Sequence, residues 1–370
     1  MRAQVARVLD NFLSSRYALE VKASRVFSAL VLVAACGLSA AAKPREKDVL
    51  TRFNLGKDED RIRLAPALAR MKDRKSVDAL LQALDYRRGN PRESLAITDA
   101  LGRSGDPRAA AELADGWDYL RTMAMQSGEL AANLQTLRGK ILEALSRCGG
   151  EQASAIVAEA VNDKDPRVVE EAVRGLGRLQ VKDAVSALQT LAGQGGSMTR
   201  AVFEAFADIG DRRAVSTLEQ GLANQDKFVE VESAYALAKL GDAKMSSRLE
   251  SYLKNDPGAE KVGILAAYYL AKLDRASGLE HLEVLMKKKD SIYAVLAADA
   301  LGQCGNPRAV LPMTEVVRSD DSAVRLSVAR GLGLHGGGRA VSALRKLASD
   351  YNAGVRAAAL SSLVALGESD

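Results

Sequence analysis

From residue 53 onward, apolar positions recur at helical spacing in pairs of runs separated by short glycine or polar breaks. Aligned on the break, the marker positions are Lys72, Gly105, Gly149, Gln180, Gly210, Gly241, Asp274, Gly305, Gly336 and Gly367, spaced by 33, 44, 31, 30, 31, 33, 31, 31 and 31 residues. Four residues before each marker stands a large apolar residue: Leu68, Leu101, Leu145, Leu176, Phe206, Leu237, Leu270, Leu301, Leu332 and Leu363. Eight residues after the marker stands another: Leu80, Leu113, Val157, Leu188, Leu218, Leu249, Leu282, Met313 and Leu344. Three before the marker the residue is usually small, as at Ala69, Gly102, Gly177 and Gly302. Agreement of independent columns at a fixed period marks a repeat of two helices and a turn.

The break chemistry fits that unit. A glycine at the marker can adopt the left-handed conformation that ends a helix. Asp106-Pro107 and Asn306-Pro307 read as an N-cap followed by proline at the first helical position of a second helix. Asn90-Pro91, Asp165-Pro166 and Asp256-Pro257 do the same for first helices. Gly175, Gly177, Gly331 and Gly333 fall inside first helices. An internal glycine costs about 1 kcal/mol relative to alanine, so close helix packing is the expected reason for them.

Val324-Arg325 and Val355-Arg356 early in first helices, with Ala100-Leu101-Gly102 to Arg108-Ala109 and Ala300-Leu301-Gly302 to Arg308-Ala309, resemble HEAT-type repeats, including the short bacterial HEAT-like variety. The resemblance covers residues 53–370 and implies an all-α fold, a right-handed α-solenoid of about nine to ten helical hairpins without an internal boundary. It is specific for fold and weak for function, because HEAT arrays mostly serve as binding surfaces. On this geometry Glu219, Glu250, Glu283, Glu315 and Arg345 of the second helices line a concave wall. Mixed charge of that kind suits a protein or peptide ligand.

Two departures interrupt the pattern. The 44-residue spacing implies about 13 extra residues near Asp115–Gly128, with the sole tryptophan, Trp117, and with Tyr119, Met123 and Met125. One reading is longer helices that pack their own aromatic; the other is a protruding element in which Trp117 and Tyr119 touch a partner. The last first helix, ending near Leu366-Gly367, has no second helix after it, and this half repeat is expected to cap the array or to meet a partner.

Upstream, Val26–Ala42 is a 17-residue apolar run without charge that follows Lys22 and Arg25. It is marginal for a membrane span and ends in small residues, as a secretory signal does. Val33-Ala34-Ala35-Cys36 resembles a bacterial lipobox, which implies diacylation of Cys36; Ala40-Ala41-Ala42 would instead serve ordinary signal peptidase. The lipobox is the favoured reading, and an uncleaved anchor is the bland one. Residues 1–36 are then the signal or anchor segment, 1–20 a misplaced start with Val21 as the true initiator, and 37–52 a charged tether. Gly37 after the cysteine, by resemblance to enterobacterial sorting, favours the outer membrane. Cys148 and Cys304 lie about five repeats apart, too far to bridge, and read as small buried hydrophobes.

Composition narrows the function. Aromatics are only 4% of the chain, which suits thin layers of Leu, Val and Ala. The net charge of +5 divides into +3 over residues 1–36 and +2 over the remainder, so the body has no basic footprint for nucleic acid. Lys287-Lys288-Lys289 and Arg87-Arg88 fall at second-helix ends, where cations complement the helix dipole. His281 and His335 have no Cys or His at ligand spacing, and Glu280-His281 occurs once and in the reverse order of the His-Glu pairs of HEAT-fold hydroxylases. Gly336-Gly337-Gly338 lacks the Lys-Ser/Thr of a phosphate loop. Nothing marks a chromophore pocket of the kind bilin lyases with HEAT-like units need. The expectation is a monomeric, non-enzymatic protein-binding scaffold or assembly factor without cofactor or metal. It would be exported and lipid-anchored at the periplasmic face of the outer membrane. An accessory lyase, or a periplasmic or cytosolic interaction module, stands as the alternative.

Overall fold

The computed structural model describes residues 46–87, 89–127, 132–254, 260–289, 292–366 and 368. Among them are 20 α-helices and no strand. They are α1 (Glu46–Leu55), α2 (Asp58–Met71), α3 (Arg74–Ala83), α4 (Pro91–Ser104), α5 (Ala109–Ser127), α6 (Ala132–Cys148), α7 (Glu151–Glu159), α8 (Pro166–Leu179), α9 (Val185–Ala192), α10 (Gly196–Ile209), α11 (Val215–Gly221), α12 (Lys227–Lys239), α13 (Lys244–Ser251), α14 (Glu260–Lys272), α15 (Ala276–Met286), α16 (Ile292–Gln303), α17 (Val310–Glu315), α18 (Ser322–His335), α19 (Gly337–Leu347) and α20 (Ala353–Ala365). Consecutive helices from α2 to α9 and from α12 to α19 follow one another as hairpins, with α10, α11 and the first helix of a last repeat, α20, beside them in chain order; the fold is an all-α solenoid.

The chain divides into two compact units, residues 41–211 and 212–370, at the turn between α10 and α11. In the first unit, α2, α4, α6, α8 and α10 pack side by side, and α3, α5 and α7 each pack on the first helix before them. In the second, α12, α14, α16, α18 and α20 make the row, with α13, α15, α17 and α19 each on the first helix before it. Within each unit the two apolar columns are part of the core. Every residue eight after a marker, from Leu80 to Leu344, is fully buried, and the column four before the markers is nearly so. Each large aliphatic side chain so removed from water stabilises its layer by roughly 1.5–3 kcal/mol.

The markers are the turns. All nine from Lys72 to Gly336 have positive φ, and Lys72 (φ 50°), Gln180 (φ 54°) and Asp274 (φ 57°) are the non-glycine residues there among the described ones. The N-caps follow the sequence reading. Asn90, Asp165, Asp106 and Asn306 each accept a bond from the backbone N–H two residues on, at 2.9–3.0 Å. Asp256-Pro257 lies outside the described residues. Gly336 departs from its column: at φ 68°, ψ −161° it occupies a region that only glycine enters readily, and it alone joins α18 to α19.

Close approach explains the glycines inside first helices. A Cβ on Gly302 would stand 2.6 Å from Gly331 Cα, and one on Gly102 would stand 2.8 Å from Ala144 Cα. A second column was not read from the sequence. Eleven residues before the marker, Ser94 and Thr199 hydroxyls donate to the carbonyls of Asp85 (3.0 Å) and Ala192 (2.7 Å). Arg356 Nη1 at the same position donates to Asp350 O at 2.8 Å. These acceptors belong to the end of the preceding second helix, where carbonyls lack intrahelical partners. Arg325, also in this column, is buried; it makes a bidentate pair with Asp350 at 2.7 and 2.9 Å and donates to Ser319 O at 2.5 Å. Arg138 in the first unit pairs with Asp163 at the equivalent spacing.

One boundary differs from expectation, and the insertion takes the longer-helix reading. The tether expected over 37–52 overlaps α1, whose Val49 and Phe53 are buried, because the alternation of apolar and charged residues there is already helical. The insertion near Asp115–Gly128 lengthens α5 to 19 and α6 to 17 residues. Gly116 in α5 admits the Tyr86 ring, which a Cβ would strike.

Candidate interaction surface

The second helices of residues 212–370 carry the surface. Burial of Leu218, Leu249, Leu282, Met313 and Leu344 turns the opposite faces of α11, α13, α15, α17 and α19 to solvent. Glu219, Glu250 and Glu315 are exposed there, and Glu283 is half-exposed. Polar links run between consecutive helices. Ser277 Oγ donates to Glu250 Oε1 at 2.9 Å. Lys287 Nζ, just past α15, donates to Glu283 and to Glu315, each at 2.7 Å. Those two carboxylates raise the Lys287 ammonium above the usual lysine range, so it stays charged. Exposed ion pairs contribute no more than about 1 kcal/mol each; their effect here is to fix where the charges stand.

The same two helices expose two apolar side chains, Val284 on α15 at 62% exposure and Leu311 on α17 at 52%. Ten residues after the marker, other repeats place Gln82, Thr190, Gln220, Ser251 and Lys346 where Val284 stands. Six residues after it, they place Ser186, Ser216, Ser247, Glu280 and Ser342 where Leu311 stands. The sequence reading passed over both. The signal was an apolar residue in a column otherwise polar in this unit. Apolar centres within a polar rim are the anatomy of protein interfaces.

Of the residues expected at a site, Glu283 and Glu315 are brought together by Lys287. Arg345 is exposed and pairs with Glu368 at 2.9 Å. Trp117 belongs to the other unit and does not face a partner: it is 2% exposed, with the Arg138 guanidinium 5.0 Å from its ring centre. Its helix carries it into the core because Leu113 and Leu120, three and four residues away, share its face. Tyr119 is half-exposed, and Arg87 lies 5.6 Å above its ring. Cys36, Arg88 and Gly367 lie outside the described residues.

The remaining chemistry is structural. Cys148 and Cys304 are buried free thiols, and burial pushes the Cys148 thiol up to about 11. His335 Nε2 shares a hydrogen bond with Leu301 O at 2.8 Å, and Cys148 Sγ donates to the equivalent Leu101 O at 3.8 Å. Burial, and then Lys288, lowers the His281 pKa below the ordinary histidine value. Among the described residues no group of three or more His, Cys, Asp or Glu could hold a metal ion. No described helix is long and apolar enough to cross a membrane.

Comparison with known proteins agrees with the architecture. HEAT repeats match residues 129–205 and 279–364, and the PBS lyase HEAT-like repeat matches residues 60–86. Human deoxyhypusine hydroxylase is similar at 18% identity, covering 70% of this chain and 99% of its own, with a TM-score of 0.36. The CpcE–CpcF complex of phycocyanin lyase from a Nostoc species is similar at 16% identity, covering 84% of this chain and 96% of its own, with a TM-score of 0.31. No curated protein matches the chain. At these identities the likeness concerns the repeat fold and carries neither protein's chemistry to this chain.

Proposed function

We propose that the chain is a protein-binding scaffold or assembly factor whose working surface is the second-helix face of residues 212–370. One observation carries the reading: Val284 and Leu311 are exposed on α15 and α17, the two helices whose Glu283 and Glu315 Lys287 links. A partner segment that covers these two side chains and meets the surrounding carboxylates with its own cations would bind there without any chemistry at the surface.

We further propose that this scaffold is exported and held in the cell envelope by lipidation of Cys36, at the periplasmic face of the outer membrane. Support comes from the sequence: an uncharged apolar run after Lys22 and Arg25, closing on Val33-Ala34-Ala35-Cys36. Two variants of the full chain test the two halves. Val284→Ser with Leu311→Ser leaves the melting transition within a degree or two, since both side chains are exposed, and should reduce partner recovery on affinity purification at least tenfold. Unchanged recovery would contradict the surface. Cys36→Ala should move the protein from the membrane fraction to the soluble one; wild type already in the soluble fraction would contradict the anchor.

A further inference from the structure

At the C-terminal ends of α17 and α19, the loops of residues 316–321 and 348–352 enclose a cleft of about 500 Å³. Val317 and Leu347 form part of its apolar lining. Tyr351 stands at its edge, 77% exposed, with one ring face on the Arg325 guanidinium at 4.4 Å. Its hydroxyl reaches toward Asp320 O across the gap at 3.4 Å. The other ring face is open. Arg325 is fully committed beneath it to Asp350 and to loop carbonyls, so the ring rests on a fixed support.

The charges at the cleft are unequal in their engagement. Asp350 is bound by Arg325 on both oxygens, and Asp320 lies 3.6 Å from Lys289. Arg318 and Lys346 line the same cleft, and neither has an acidic partner among the described residues. An aromatic face already polarised by a cation, an apolar lining and two uncommitted cations together select a ligand with both an apolar group and negative charge. Tyrosine and arginine are also the side chains that most often anchor interfaces.

We infer that this cleft binds an acidic peptide segment of the partner, with an aromatic or aliphatic side chain against Tyr351 and Val317 and flanking carboxylates on Arg318 and Lys346. The inference rests on the protein-binding reading and gives that partner a second, oppositely charged contact beyond the carboxylate-lined face around Val284 and Leu311.

The test is calorimetric titration of the full chain at low salt with N-acetyl-Glu-Phe-Glu-amide and its Gln-Phe-Gln counterpart. Saturable binding of the acidic peptide is expected, about tenfold weaker for the neutral one. Arg318→Ala with Lys346→Ala should weaken the acidic peptide by a similar factor, Tyr351→Ala should weaken both peptides, and Lys75→Ala, an exposed cation of the other unit, should change neither. Equal affinity for the two peptides, no saturable binding to wild type, or indifference to the double variant would overturn the inference. So would capture of vesicles rich in phosphatidylglycerol through Arg318 and Lys346 without peptide binding. Partner recovery that depends on Val284 and Leu311 but ignores these cleft variants would overturn the cleft alone and leave the scaffold reading standing.

Discussion

Lys72, Gln180 and Asp274 share the positive φ that glycine supplies at markers such as Gly105 and Gly210. An L side chain in that region costs roughly 1–2 kcal/mol. Asp274 has a compensating role, since its Oδ1 accepts from Asn306 Nδ2 at 3.0 Å and from Arg308 Nη1 at 3.1 Å. Among the described residues the Gln180 side chain makes no such link between repeats, and its backbone N–H donates to Gly177 O at 3.0 Å. Gln180→Gly should therefore raise the urea midpoint by an amount equivalent to about 1 kcal/mol, whereas Asp274→Gly should gain less or lose. Two carboxyls predict opposite pH responses. Burial would raise the Glu143 pKa, but Lys140 and Arg147 outweigh it and hold the group at about 2. Its stabilising contribution is complete above the ordinary glutamate range and is lost as pH falls through about 2. Burial raises Asp299 to about 6, against the Ser327 hydrogen bond and Arg330. Its folded pKa exceeds its unfolded one, so its contribution is complete below the ordinary aspartate range and is lost as pH rises through about 6. Melting temperature against pH should show both limbs, with Glu143→Gln flattening the first and Asp299→Asn the second.

At the scale of the helix, the close contact of Gly302 with Gly331 sets how near α16 and α18 lie. Gly331→Ala would gain helix propensity of about 1 kcal/mol and meet Gly302 backbone at 2.7 Å. Overpacking costs typically 1–3 kcal/mol, so a net loss is expected in chemical denaturation; a net gain would mean the helices can separate freely. These glycines were legible in the sequence because a costly residue repeated at one helical register needs a packing reason. The buried columns were legible for the same cause, periodic apolar residues of the right size. Trp117 was legible as one of two readings, longer helices that pack their own aromatic or a protruding element, and the long α5 with its buried indole is the first. Arg138 as the residue on the indole was hidden. The carbonyl-binding column of Ser94, Thr199 and Arg356 was equally hidden, since three residue types perform one task there and no identity repeats.

For the whole molecule, the repeat count and the hairpin order follow from the marker spacing, while the division at Asp211 and Arg212 does not. Spacings of 30 and 31 residues on the two sides of Gly210 give no hint of it. The surface was half legible: Glu283 and Glu315 could be placed on second helices, but Lys287 joining them depends on how two hairpins stack. A protein partner that covers the second-helix face of residues 212–370 should be caught by site-specific photocrosslinking in the cells that express the chain, with the photoreactive residue at Leu311 and, as a control on a first helix, at the more exposed Leu334. One discrete protein adduct from position 311, lost on Val284→Ser and absent from position 334, is the predicted result. No adduct at 311, or the same adducts from both positions, would contradict it.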